Sequence, residues 1–179
     1  MDKSVKLKIS GVVRESVVDG PGLRLVVFAQ GCNRACPGCH NPASWDPNGG
    51  VEVTAADLLA QISGAKLLKG VTFSGGEPFL QAWPLALLGE EIKKTGLDLI
   101  TYTGYTWEEL WVKAEGDPGV RGLLAVTDYL VDGAFLKEER SWVLPFRGSA
   151  NQRFIDVAAS LATGGLVLCF EEGAETNSA

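Results

Sequence analysis

The sequence lacks an excess of basic residues, an apolar run long enough to span a bilayer, an internal repeat and a linker, and it holds only one histidine and one methionine. Each absence removes a class of function. With 16 Lys and Arg against 22 Asp and Glu, the formal net charge is -6, so the basic face that would neutralise nucleic-acid phosphates is missing. The expected partner is a protein or a small molecule, with no nucleic acid. No stretch approaches the roughly 18 apolar residues of a membrane helix. The opening MDKSVKLKISGVV alternates charged and apolar residues, with neither the apolar core nor the cleavage site of a secretion signal. These features predict a cytoplasmic protein without membrane association. In a reducing compartment, clustered thiols read as metal-binding or catalytic before they read as disulfides. With nothing to divide it, the chain reads as one domain over residues 1–179, with 1–10 as an N-terminal extension and the polar 171–179 as a frayed tail.

At 46% hydrophobic residues the chain can build a packed core, and its pattern alternates strands with helices. LRLVVFAQ (Leu23 to Gln30) is a continuous apolar run, the form of a strand buried on both faces. Thr54 with Asp57 three residues on marks a helix start, and Leu58, Leu59 and Ile62 give its apolar stripe to about Ser63. VTFS (Val71 to Ser74) is a second strand, followed by a Gly75 to Pro78 loop and helical spacing from Gln81 to Thr95, with Pro84 in its first turn. LDLITY (Leu97 to Tyr102), a capping box at Thr106 and Glu109, and the strand YLVDG (Tyr129 to Gly133) repeat the pattern. The alternation predicts an α/β fold on a parallel sheet. Ligands bind such sheets beyond the carboxyl ends of the strands, which puts the cysteine loop, Gly75 to Pro78, Thr103 to Tyr105 and Asp132 on one rim. Trp45, Trp107 and Trp111 read as packing residues, and Cys169 in LVLCF as a small buried hydrophobe on a last strand.

Cys32, Cys36 and Cys39 fall within eight residues, spaced Cys-x3-Cys-x2-Cys in GCNRACPGCHN. Thiolates this close can converge on one soft metal centre, and three ligands instead of four leave a coordination position open. Four chemistries share the spacing. Cys36-Pro37-Gly38-Cys39-His40 has the form of covalent haem attachment, but Met1 is the only methionine and leaves no usual axial partner. A dithiol redox pair at Cys36 and Cys39 leaves Cys32 without a role. Zinc on the three thiolates plus His40 strains two adjacent ligands. An iron–sulfur cluster with three thiolates and one free iron is the fourth.

The triad after a first strand, followed by Ser74-Gly75-Gly76-Glu77-Pro78 after a second, resembles the radical S-adenosylmethionine superfamily. The resemblance implies an incomplete parallel (β/α) radical SAM barrel and a 4Fe-4S cluster on Cys32, Cys36 and Cys39. It further implies S-adenosylmethionine chelating the free iron, with Gly75, Gly76, Glu77 and Pro78 receiving its amino group. Glycines let a backbone approach a ligand, and Glu77 with exposed carbonyls offers acceptors to an ammonium. The plainer reading is a strand-to-helix turn with Pro78 at the first helical position. Many members carry an aromatic residue where Gly38 stands, so adenine contacts are expected from the backbone of Gly38, Cys39 and His40. Asp132 is carried over as a cofactor ligand, against the alternative of a turn start with Gly133. An Asp and a Lys of related activators correspond to Thr101 and Ala134, so no cation site is carried over.

SVVDGPGLRLVVFAQGC, CHNPASWD and LVDGAFLKEERSWVLPFRGSANQRFIDV are similar to activating enzymes of glycyl-radical enzymes. Arg147-Gly148-Ser149 with Asn151-Gln152-Arg153 resembles the anaerobic (class III) ribonucleoside-triphosphate reductase activating proteins, over most of residues 10 to 157. Arg147 and Arg153 are otherwise solvated or structural ion pairs. The resemblance implies one electron passing from a low-potential donor through the cluster to S-adenosylmethionine, giving methionine and a 5'-deoxyadenosyl radical. That radical takes a hydrogen atom from a glycine Cα of the partner reductase. No acid–base pair is needed, so His40 need not be a catalyst. The alternatives are activation of a pyruvate formate-lyase type enzyme, a small-molecule radical synthase such as a deazapurine-forming enzyme, and a zinc-binding interaction module.

Overall fold

The computed structural model describes residues 4–170. In chain order it contains β1 (Lys6–Ser16), β2 (Arg24–Ala29), β3 (Val51–Thr54), α1 (Ala55–Gly64), β4 (Gly70–Gly75), α2 (Ala82–Lys93), β5 (Asp98–Tyr102), α3 (Trp107–Gly116), α4 (Pro118–Val126), β6 (Tyr129–Asp132), β7 (Arg153–Asp156) and α5 (Val157–Thr163). The strands form one seven-stranded sheet in the order β3-β1-β2-β4-β5-β6-β7. Only β2, β4, β5 and β6 are mutually parallel, while β1, β3 and β7 pair antiparallel at the two edges. The sheet is therefore mixed where a parallel one was expected. The reason lies in the connections: parallel neighbours need a crossover, which the helices supply between β2 and β6, whereas β1 to β2 and β6 to β7 are joined by loops without an α-helix.

Two boundaries also differ from expectation. Residues 6–10 are not an extension but the first half of β1, where Lys6 to Ile9 pair with Thr54 to Val51. Leu7 and Ile9 are buried while Lys6 points outward, the period of two that a half-buried strand requires. Cys169 is exposed and lies outside any strand; its segment touches the sheet edge through the single bridge Ile155 to Leu168. One bridge cannot bury a side chain from both sides. The tail assigned to 171–179 lies outside the described residues.

The helix starts expected from capping boxes are present. Thr54 caps α1 with Asp57 reciprocating, and Thr106 caps α3 with Glu109 reciprocating. Asp117 ends α3 and at once caps α4, where Pro118 occupies the first turn.

The two faces of the sheet are covered differently, and this positions the site. Leu25, Val27, Val71, Phe73, Leu99, Leu130 and Ile155 face the helices, where they pack with Leu58, Leu85, Leu88, Ile92, Leu110 and Leu123 into the main core. The alternate residues Ile100, Val131 and Phe154 form a small cluster on the other face, against Tyr102, Tyr129, Phe146 and Phe170. Loops cover that face. Arg24, fully buried, pairs with Asp98 at 2.6 Å and donates to Thr72 Oγ1 and the Val71 carbonyl, each at 2.8 Å. Thr72 Oγ1 in turn donates to the Asp19 carbonyl at 2.8 Å, which fastens the loop between β1 and β2 across the face.

Candidate active site

The cysteine loop leaves the carboxyl end of β2. Its base is closed by Gly31 N–H to the Ser44 carbonyl at 2.8 Å and Cys32 N–H to the Trp45 carbonyl at 3.1 Å. The buried Gln30 side chain donates to the Ala43 and Asp46 carbonyls at 3.1 and 2.7 Å. Inside this ring, Cys39 N–H returns to the Cys36 carbonyl at 3.0 Å, and Gly38 takes a φ of +77°, a left-handed turn that favours glycine.

Two of the three sulfurs receive a backbone N–H: Arg34 donates to Cys32 Sγ at 3.5 Å and Asn41 to Cys39 Sγ at 3.3 Å. Burial pushes the Cys36 thiol up, the Phe135 amide opposes that, and the neighbouring Cys32 and Cys39 push it further. All three cysteines line one concavity of about 350 Å³, together with His40, Trp45, Gly75 to Glu77, Tyr102 to Gly104, Phe135 and Gln152. The Trp45 indole N–H is buried without a hydrogen-bond partner, so this tryptophan, expected to serve packing alone, holds a spare donor at the site.

The Gly75 to Pro78 loop is laced to the cysteine loop. Gly76 N–H donates to the Ala29 carbonyl and Glu77 N–H to the Gly31 carbonyl, both at 2.8 Å. A Cβ on Gly76 would stand 2.3 Å from the Gly31 oxygen, and Gly75 at φ +93° would put one 2.7 Å from the Ala29 nitrogen. Two loops can meet this closely only through glycine. Pro78 opens a short 3-10 turn over Pro78–Gln81, as the plainer reading of the motif required.

Glu77 turns inward. Fully buried, its carboxylate accepts from Thr103 Oγ1 and Gly104 N–H at 2.8 Å and from Phe79 N–H at 3.0 Å. Burial pushes this carboxyl up to about 7, against the three donors that pull it down. Its lone pairs serve the protein, and what the loop presents to a ligand is main chain. The turn Thr103 to Tyr105 that Glu77 holds also receives the cysteine loop. Asn33 Nδ2 donates to Tyr105 Oη at 3.0 Å, the Arg34 guanidinium lies 4.1 Å over the Tyr105 ring, and Arg34 pairs with Glu109 at 2.6 Å.

His40 is exposed at the edge of the concavity, its ring 5.1 Å from that of Phe135 and its Nε2 3.4 Å from Arg140 Nη2. Asp132 is brought elsewhere. Its buried carboxylate takes Arg153 Nε at 3.0 Å, Arg153 Nη2 at 2.5 Å and Trp107 N–H at 2.7 Å, and it borders a separate depression. Arg153 continues to Glu108, whose carboxyl it holds down at about 2. Thr101 bonds Thr127 at 2.9 Å on the helical side.

The Arg147 to Arg153 segment closes the concavity from the far side. Gln152 accepts from Gly148 N–H at 2.8 Å and donates to the Gly133 carbonyl at 3.0 Å. Asn151 donates to the Ala134 carbonyl at 2.8 Å and accepts from Ser149 Oγ at 2.7 Å. These amides pin the loop between β6 and β7 over the site. Sequence reading missed Phe135, Gln152 and Asp19 as lining residues, since each acts through a fold-back that its neighbours in sequence do not reveal.

The donor set fits an iron–sulfur cluster. Three thiolates on one concavity are the ligand chemistry of such a cluster, and N–H groups aimed at sulfur, as at Cys32 and Cys39, are a means of tuning it.

Comparison with known proteins agrees. The model of a 4Fe-4S single cluster domain matches residues 18–155. The anaerobic ribonucleoside-triphosphate reductase-activating protein of Haemophilus influenzae is 33% identical over 144 residues, 76% of this chain and 89% of that protein. Its counterpart in Vibrio cholerae is 35% identical over the same shares. The pyruvate formate-lyase-activating enzyme of Clostridium pasteurianum is 40% identical over 112 residues, but these are 58% of this chain and 47% of that enzyme. With a cluster-domain match across the whole site and relatives aligned over most of their own length, this chain belongs to the family of anaerobic ribonucleoside-triphosphate reductase-activating proteins.

Proposed function

We propose that this protein activates an anaerobic ribonucleoside-triphosphate reductase by installing a glycyl radical on it. The observation that carries the reading is that Cys32, Cys36 and Cys39 line the same concavity as the Gly75 to Glu77 loop, with backbone N–H groups donated to the Cys32 and Cys39 sulfurs. Cys32, Cys36 and Cys39 would hold a 4Fe-4S cluster, and main-chain groups of Gly75 and Gly76 and of Gly38 to His40 would hold S-adenosylmethionine. When bound, these groups supply one-electron cleavage of the sulfonium–carbon bond and hydrogen-atom abstraction from a glycine Cα. The protein's own residues do the placing: Glu77 locks the Thr103 turn, Arg34 and Asn33 seat the cysteine loop on it, and Gln152 holds the opposite wall. Asp132 orients α3 and β7 and does not touch the cofactor.

In this reading β2, β4, β5 and β6 are the parallel part of an incomplete barrel, and 1–179 is one domain. The electron comes from a low-potential donor, in the cytoplasm, where thiols stay reduced. The net charge of -6 leaves nucleic acid without a role. A second reading, service to pyruvate formate-lyase, is favoured by the 40% identity to its activator, but that match spans less than half of the enzyme. The two separate in one experiment. Anaerobic, reconstituted protein is mixed with S-adenosylmethionine, a reductant and either purified target, and the glycyl radical is sought by paramagnetic resonance. A radical on the reductase is the expected result; 5'-deoxyadenosine without a radical on the reductase overturns the assignment.

A further inference from the structure

Among the described residues, Arg34 is the only Lys or Arg that lines the cysteine concavity. In sequence it lies between Cys32 and Cys36, and in space it stands in the wall shared with the depression that Asp132 borders. Its stem runs against the Thr103 to Tyr105 turn, where a Cβ on Gly104 would meet Arg34 Cγ at 2.8 Å. Its guanidinium is fixed twice over, by the Tyr105 ring at 4.1 Å and by Glu109 Oε2 at 2.6 Å. That same carboxylate oxygen accepts the Thr106 N–H at 2.8 Å in the capping box of α3, so the start of a helix holds the arginine in place. One donor is left over. Arg34 Nε is buried and has no hydrogen-bond partner.

The ion pair is lopsided. The Arg34 side chain is 25% exposed and that of Glu109 45%, so water screens the carboxylate more than the guanidinium. The positive charge is felt at the site, where it holds the Cys36 thiol and the Glu77 carboxyl lower than burial alone would leave them.

We propose that Arg34 sets the potential of the cluster on Cys32, Cys36 and Cys39: its fixed charge at the concavity wall favours the reduced form, and Glu109 moderates it. The inference rests on the function proposed above. Reduction adds one electron from a low-potential donor and breaks no bond, so the cluster becomes more negative by one charge. A cation in a weakly screened wall stabilises that state, and a carboxylate behind the cation opposes it. Removing the two partners should therefore shift the potential in opposite directions. A purely structural anchor predicts the reverse, because either loss breaks the same contact and both act alike.

The test is a potentiometric titration of anaerobic, reconstituted protein, without the reductase, in which reduced cluster is counted by paramagnetic resonance. At a fixed potential the ratio of reduced to oxidised cluster should fall about tenfold for Arg34→Met, which is ~59 mV for a one-electron couple. Arg34→Lys keeps the charge and should stay close to wild type. For Glu109→Gln, whose amide preserves the capping box, the ratio should rise about three-fold. Lys113→Met removes the cation 4.8 Å from the Tyr105 ring without touching the concavity, and should titrate as the wild type does. If Arg34→Met takes up no cluster, Glu109→Gln and Arg34→Lys decide. Ratios for Arg34→Met and Glu109→Gln that equal wild type, or that move the same way, overturn the assignment. If the wild-type protein itself takes up no iron and sulfide, the proposed function fails, and the assignment with it.

Discussion

Replacing Glu77 by glutamine should change the pH dependence of stability in a calculable direction. Burial raises the folded carboxyl to about 7, from an ordinary value of 4.5. Below pH 4.5 both folded and unfolded chains hold the proton, and the raised value contributes its full stabilisation. Between 4.5 and 7 the unfolded chain gives up the proton while the folded one keeps it, and the contribution is lost as pH rises through 7. Two and a half units at ~1.4 kcal/mol each come to about 3 kcal/mol. Glutamine does not titrate, so the stability of wild type minus that of Glu77→Gln should fall by about this amount between pH 5 and pH 8. Superimposed is a constant term: the glutamine amide cannot accept from Gly104 N–H, and a buried donor left unpaired costs roughly 1–3 kcal/mol. Differential melting of the two anaerobic proteins isolates the slope, because every other titrating group cancels. For a chain of this size the gap in melting temperature should narrow by roughly 6 to 12 °C from pH 5 to pH 8. A gap that stays constant or widens would show that the three donors outweigh burial and that Glu77 is a fully ionised clamp.

Cys36→Ala should abolish the brown colour of reconstituted protein and bring iron well below the about four per chain of the wild type, measured by iron and sulfide analysis. Gly76→Ala forces a Cβ to 2.3 Å from the Gly31 oxygen; separation of the two loops should cost about 1–3 kcal/mol in chemical denaturation and weaken S-adenosylmethionine binding measured by calorimetry. Arg153→Met leaves the buried Asp132 carboxylate with Trp107 N–H alone, and a loss on the order of 3 kcal/mol is expected in the same denaturation assay, with cluster content unchanged.

What could be read in advance was local. Thr54 with Asp57, and Thr106 with Glu109, announce helix starts because both partners of the capping box lie within four residues. The cysteine triad and the Gly75 to Pro78 loop declare themselves by spacing, for the same reason. Residues 1–10 read from sequence as an extension and not as β1, because a short alternating run around Leu7 and Ile9 at a chain start does not show that β3 will pair with it. α4 escaped because Gly119 and Gly122 lower helix propensity, and packing under α2 compensates. The inward turn of Glu77 and the capture of Asp132 by Arg153 are matters of side-chain direction and of strands meeting across 21 positions. A motif specifies where a residue lies along the chain, not which way it faces.

The covering of one sheet face by loops has a consequence for the order of synthesis. Helices that follow each parallel strand can pack as they emerge, so the core matures progressively from the ribosome. The thiols of the triad emerge early, but Phe135, which lines the concavity with them, comes much later, and the amides that pin its loop come later still, from Asn151 and Gln152. Until those arrive the concavity lacks the wall opposite the triad. The concavity that holds the three thiols is therefore closed only once the chain has been made through Gln152.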